Sequence, residues 1–276
     1  TRYWRDWSSD VCSSDLPGLG SSGSSSSSSH SSQSSSSSSN SSSSSSVSSS
    51  SIVCLTLPLC RALTNTSGFT TRGGVFYPYA ISAPILCASS ASSGSSNSSS
   101  AYASQTVLRS GLVTGVNLLT LNNCPTDWAL DHRVSAVLRL GGGSNFNGGL
   151  ALNYLTTQQT GGGPKYLAAV LNPEEAAFQL LRYNGSTFVT EFSADFDLYP
   201  FTFDPDAWYV VSMTPTRLNP GQINSPIVVS CELRKITETA AEISFAVTVA
   251  EYGLIAGSVG LFVNQAYTYF SHLTIE

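Results

Sequence analysis

Charge is scarce in this chain: Asp, Glu, Lys and Arg make up 11% of its 276 residues, while 41% are apolar. The bases are outnumbered, 12 Lys and Arg against 17 Asp and Glu. No basic stripe breaks that balance, which argues against nucleic acid as a partner, since binding a phosphate backbone needs clustered cations. Long apolar runs are missing too. None reaches the roughly 18–20 residues that span a bilayer. The nearest, Ile52 to Leu63, is short and interrupted by Pro58 and Arg61. Methionine occurs once, as Met213. No C-x-x-C pair is present among the cysteines, so neither a zinc ribbon nor a thioredoxin-like site is signalled.

What is present divides into unlike pieces. Asp6-Trp7-Ser8-Ser9-Asp10-Val11-Cys12-Ser13-Ser14-Asp15-Leu16 resembles translated sequencing-adapter sequence of the kind left in metagenomic assemblies, so residues 1–16 are set aside and a signal peptide is not observable. Residues 17–51 are almost pure serine; such a tract buries too little apolar surface to offset ordering entropy and is expected to be a disordered linker. Residues 52–104 are mixed, partly low-complexity, and fit no clear element pattern. From Gln105 to Glu276 the chain reads as one globular domain, with fourteen acids against eight Lys or Arg. Outside the adapter-like stretch the cysteines are Cys54, Cys60, Cys87, Cys124 and Cys231. Cys54 and Cys60 can close a small loop and Cys124 and Cys231 can cross-link the domain; two buried free thiols are an equal alternative for the latter pair.

The globular part is a train of short segments rich in Val, Leu, Phe, Tyr and Thr, punctuated by Gly, Pro, Asn and Asp, which is the pattern of a β-sandwich or barrel. Strands are expected at Thr106–Arg109, Val116–Leu121, His132–Leu140, Gly149–Leu155, Tyr166–Leu171, Ala177–Tyr183, Thr187–Phe192, Trp208–Thr214, Ile227–Lys235, Ile243–Ala250, Ser258–Val263 and Tyr267–Ile275. In His132–Leu140, one face carries Val134, Ala136, Leu138 and Leu140 and the other Arg133, Ser135, Val137 and Arg139, the alternation of a half-buried strand. Asn184-Gly185 suits a type I′ hairpin turn. Gly141-Gly142-Gly143 and Gly161-Gly162-Gly163-Pro164 read as loose loops, and Pro173–Ala177 as one helical turn at most.

Three stretches, in this order and spacing, resemble the concanavalin A-like lectin/glucanase superfamily and its laminin-G-like domains. They are Pro125-Thr126-Asp127-Trp128-Ala129-Leu130 running into the strand from His132, then Phe178-Gln179-Leu180-Leu181-Arg182-Tyr183-Asn184-Gly185 with Asp206-Ala207-Trp208-Tyr209-Val210-Val211, and last Gly257-Ser258-Val259-Gly260-Leu261-Phe262-Val263 closing on Tyr269-Phe270-Ser271-His272-Leu273-Thr274-Ile275. The resemblance implies an all-β, two-sheet antiparallel jelly-roll sandwich. It departs at Ser271-His272, where the closing strand of the family usually carries Asp-Asn.

The glucanase branch implied by the resemblance works with opposed carboxylates on an E-x-D-x-x-E strand. Glu191-Phe192-Ser193-Ala194-Asp195-Phe196-Asp197 has the wrong spacing, and no G-x-S-x-G elbow occurs, so no catalytic residue is assigned. Sugar sites combine aromatic faces with amides or guanidinium groups. Asn153, Tyr154, Gln179, Arg182 and Tyr183 supply those groups on neighbouring strands and are the expected ligand-binding set. Asp195, Asp197, Asp204 and Asp206 crowd one loop and are the expected ligands if calcium is bound; no other cofactor is signalled. The function that follows is a non-catalytic extracellular recognition or adhesion module binding a glycan or cell-surface partner. The alternatives are an accessory or degenerate domain of a glycoside-active enzyme, and a structural spacer in a surface or fibre protein.

Overall fold

A computed structural model describes residues 58–87, 102–111, 115–122, 131–155 (backbone only over 143–146), 163–219, 225–250 and 257–276. The adapter-like residues, the serine-rich linker, Cys54, Cys124 and the opening motif before Asp131 lie outside them. The described part belongs to one compact unit, Leu55–Glu276. Among the described residues it holds thirteen strands and a single 3-10 turn at Phe196–Leu198. All pairings are antiparallel.

The strands are β1 (Leu59–Ala62), β2 (Phe69–Gly73), β3 (Phe76–Pro84), β4 (Tyr102–Ser110), β5 (Val116–Leu121), β6 (Val134–Leu155) and β7 (Lys165–Asn172). They continue as β8 (Ala177–Tyr183), β9 (Phe188–Asp195), β10 (Tyr209–Arg217), β11 (Ile227–Lys235), β12 (Ile243–Val249) and β13 (Ser258–Ile275). Two long strands, β6 and β13, organise the sandwich because each serves both layers. The first halves of β6 and the last residues of β13 pair at Val134–Leu138 and Phe270–Ile275, and β10, β11 and β12 extend this layer. The second half of β6 pairs with Ser258–Asn264 of β13, and this layer runs outward through β7, β8 and β9 on one side and β5 and β2 on the other.

The two layers enclose one apolar core. Leu138, Tyr209, Val211, Met213 and Leu233 of the first layer meet Leu150, Leu152, Leu167, Leu180 and Leu261 of the second. Phe178 and Phe192 each pack on Phe245, with ring centroids 5.3 and 4.6 Å apart. The alternation read in His132–Leu140 is realised: Val134, Ala136, Leu138 and Leu140 enter this core, while Ser135 and Val137 face outward.

Several expectations are corrected. Gly141-Gly142-Gly143 is not a loop between strands; it lies inside β6, and the paired segments Ser258–Val263 and Tyr267–Ile275 are one strand, β13. The glycines explain the first. Gly142 has φ +103°, and a Cβ on Gly141 would lie 2.7 Å from the Tyr269 ring, so glycine lets the strand bend across layers beside an aromatic. Asn184-Gly185 does end a hairpin, but only Gly185 has positive φ, and the loop spans four residues. Asn184 Oδ1 accepts from the Ser186 and Thr187 amides at 3.0 Å each, an Asx-type turn in place of type I′.

Upstream of Gln105 the structure adds β1, β2 and β3. β1 pairs with the end of β13, β2 with β5, and β3 with β4. The β3–β4 hairpin curls over the outer face of the first layer, where Ala83 and Val107 pack on Val137, Trp208 and Val210. Cys60 is bonded to Cys87, not to Cys54, with Cα atoms 5.7 Å apart. Cys231 is a buried free thiol inside β11. Among the described residues no helix is long and apolar enough to cross a membrane.

Candidate functional site: an aromatic hollow on the second layer

Strand alternation also gives the second layer an apolar outward face. Tyr166, Ala168 and Val170 of β7, Leu181 of β8, Ala151 and Tyr154 of β6, Leu118 of β5 and Phe262 of β13 form a second cluster there. The cross-strand register gathers the rings. Tyr166 sits opposite Tyr183 on β8, and Tyr183 opposite Phe188 on β9. Ring centroids are 5.9 Å apart for Tyr154–Tyr166, 5.2 Å for Tyr166–Tyr183 and 4.9 Å for Tyr183–Phe188. Phe262 packs against them, 6.3 Å from Tyr166 and 5.8 Å from Phe188.

Tyr154, Tyr166, Tyr183 and Phe188 line a hollow of about 420 Å³, together with Arg72, Gly73, Val116, Leu118, Pro164 and Ser186. Exposure is graded across it: Tyr166 is buried, Tyr183 half-buried and Phe188 exposed. Burial, with Tyr183 and Tyr154 alongside, pushes the Tyr166 phenol well above its ordinary value, so it stays a neutral hydroxyl. Arg72 reaches in from a bulge in β2, being the extra residue between Thr71 and Gly73. Its Nε donates to Thr120 Oγ1 at 3.1 Å, and its guanidinium lies 5.1 Å from the Tyr154 ring centroid. The rim near Ser186 rests on two glycines: a Cβ on Gly163 would fall 2.0 Å from the Gly185 carbonyl oxygen.

The sequence-derived ligand set is only partly gathered here. Tyr154 and Tyr183 line the hollow. Asn153 does not: it is fully buried at φ +57°, at the register shift between Leu152 and Leu155. Gln179 shares the outward face but is buried, donating to Glu175 Oε2 at 2.6 Å and accepting from Asn172 Nδ2 at 3.2 Å. Arg182 lies opposite Leu167, hence on the other face from Tyr183, and pairs with Glu191 at 2.5 Å. Sequence reasoning missed Tyr166, Phe188 and Arg72. The first two follow from the hairpin register around Tyr183; Arg72 lies in a stretch with no recognisable pattern.

The four aspartates are exposed and dispersed in their contacts. Asp195 accepts from Ser193 Oγ at 3.4 Å, Asp204 from the Asp206 amide at 2.8 Å, and Asp206 from Arg139 at 2.9 Å. Among the described residues no three His, Cys, Asp or Glu side chains converge as a metal ion requires. What orders this loop is Tyr209: the Asp204 amide donates to its hydroxyl at 2.6 Å, and that hydroxyl donates to the Asp204 carbonyl at 3.0 Å. Burial pushes the Tyr209 phenol up to about 12.

The chain matches no protein-family model and no curated protein. Its structure is similar to that of a carbohydrate-binding module, CBM66, from Bacillus subtilis, at 10% identity and TM-score 0.48, over 78% of this chain and 99% of that one. It is also similar to a Bacillus subtilis protein of unknown function with a galectin-like fold, at 10% identity and TM-score 0.44, over 79% and 94%. A third is the Bacillus licheniformis beta-glucanase, at 9% identity and TM-score 0.43, over 79% and 97%. At these values the likeness says nothing about ligand or activity.

Proposed function

We propose that this domain is a non-catalytic carbohydrate-recognition module of an extracellular or cell-surface protein, and that the hollow on the second layer is its ligand site. The observation that carries the reading is the graded row of rings from Tyr166 through Tyr183 to the exposed Phe188, flanked by Arg72 and Ser186. Aromatic faces receive the C–H side of a pyranose, and guanidinium, phenol and hydroxyl groups bond its hydroxyls. Among the described residues no carboxylate lines the hollow, and glycoside hydrolysis by the usual route needs two. The Cys60–Cys87 disulfide supports an oxidising compartment.

A glycan array probed with the protein, with calcium and again with EDTA, tests the proposal. Specific binding that EDTA leaves unchanged is expected, and Tyr183→Ala should weaken it about tenfold through lost stacking. Absence of any glycan bound under both conditions would overturn the reading in favour of a protein partner or a spacer.

A further inference from the structure

A second surface, on the opposite layer, has its own chemistry. Where the β3–β4 hairpin leaves β13, four strands place their side chains in one row: Arg139 on β6 opposite Tyr269 on β13, Tyr269 opposite Arg109 on β4, and Arg109 opposite Tyr77 on β3. Tyr79 joins them, its ring 5.4 Å from that of Tyr269. The Arg109 guanidinium is the centre. It lies 4.3 Å from the Tyr267 centroid, 4.9 Å from Tyr79, 5.4 Å from Tyr269 and 5.7 Å from Tyr77.

Among the described residues no acid compensates its charge. Two other arginines on this face have acids, Arg139 with Asp206 at 2.9 Å and Arg133 with Glu232 at 2.6 Å, and a third, Arg234, donates to the Glu238 carbonyl at 2.7 Å. The Arg109 side chain makes no hydrogen bond or ion pair with any described residue, and its Nε is buried without a partner. A guanidinium carries five N–H donors in a fork that fits a carboxylate. Cation–π contact stabilises the charge but satisfies none of those donors in the plane of the fork. The tyrosines hold the group in place, and Tyr79, 38% exposed, offers a flat ring beside it.

We propose that this face is a recognition site for an acidic sugar, with Arg109 binding the carboxylate of a uronic acid and Tyr79 stacking on its pyranose ring. One uncompensated cation matches one carboxylate. A densely charged polyanion would also meet Asp206 on a chain of net charge −5. The site is separate from the hollow on the second layer and stands whether or not that hollow binds a neutral glycan.

The test uses the full chain and two probes, a methyl galacturonoside and its methyl ester, which present the same pyranose ring with one carboxylate or none, followed by calorimetry at low salt. The acid form is expected to bind about tenfold or more tightly than the ester, because a charge-assisted bidentate pair is lost on esterification. Arg109→Gln should remove that difference, while Arg234→Gln, an equal change of charge elsewhere on the layer, should keep it. Tyr79→Leu should weaken binding of both forms, and decides the matter should Arg109→Gln fail to fold. Equal affinity for the two probes, no binding of the acid form, or wild-type affinity in a folded Arg109→Gln or Tyr79→Leu protein would each overturn the proposal.

Discussion

At the scale of single residues, two positions carry consequences that their types alone do not announce. Gly149 looks like one more glycine in a glycine-rich stretch, yet a Cβ there would lie 1.8 Å from the Ala169 carbonyl oxygen. That oxygen belongs to the neighbouring β7 backbone, which cannot move without breaking the β6–β7 ladder. Gly149→Ala should therefore cost about 2–4 kcal/mol, as overpacking against backbone does, read as a lowered midpoint in urea. An unchanged midpoint would show that β7 is not held at this register. His272 is buried, with Nδ1 3.0 Å from Ser271 Oγ, and burial holds its imidazole below the ordinary value of 6.5. The unfolded chain takes up a proton near that ordinary value while the folded chain resists it. The folded state is thus favoured above about pH 6.5 and loses ground as pH falls toward the lowered value. Thermal midpoints measured from pH 8 to pH 5 should decline for the parent, with a shallower slope for His272→Gln; parallel slopes would remove His272 as a cause. Neither position was legible as such. The glycine's neighbour comes from another strand, and the histidine's burial depends on a bulge at Ser271 that no local pattern encodes.

At the scale of elements, most strands were legible because half-buried strands must alternate, and β5, β8 and β11 have the bounds that alternation gives. What alternation does not reveal is continuity. β6 and β13 were readable only as pairs of shorter strands, since the glycines of one and the irregularities of the other interrupt the period at the crossing between layers. The same limit applies to the hollow. Tyr183 was found from its own strand, but its partners Tyr166 and Phe188 are fixed by register and Arg72 by a bulge. The cysteines show the limit most plainly: spacing let Cys54 close a small loop with Cys60, while strand placement brings Cys60 to Cys87. That bond fastens the short β1 to the residues just after β3. With its ends 27 positions apart in sequence, its loss should cost about 3–4 kcal/mol by restoring chain entropy to the unfolded state. Comparing the parent with Cys60→Ser/Cys87→Ser by thermal melting checks this, and peptide mapping without reductant should recover Cys60 joined to Cys87. Recovery of Cys60 joined to Cys54 would refute the pairing.

At the scale of the whole molecule, the question is where the folding unit begins. Composition puts the start near Gln105, because the Ser-rich stretch before it hides the strands further upstream. Pairing puts it before β1. Removing residues 1–104 would take away β1, β2 and β3, exposing the edge of β5 and leaving the end of β13 without one of its two neighbours. It would also remove Leu63, Phe69 and Phe76 from the main core, where Phe76 packs 6.5 Å from Phe270. Ala83 would no longer cover the outer face of the first layer. Those losses reach both layers at once, and a sandwich whose two long strands serve both layers has no independent half to fall back on. A fragment of residues 58–276 keeps every described strand and should therefore melt cooperatively within about 3 °C of the full chain. A fragment of residues 105–276 should show no cooperative transition and should bind a hydrophobic dye. If the shorter fragment melted like the longer one, β1 to β3 would be ornament on a domain complete without them. The Arg109 face would then lose Tyr77 and Tyr79, and the hollow would lose Arg72, without any change in the core. Testing the two fragments on neutral and acidic glycans would then separate what the upstream strands do for the fold from what they do for recognition.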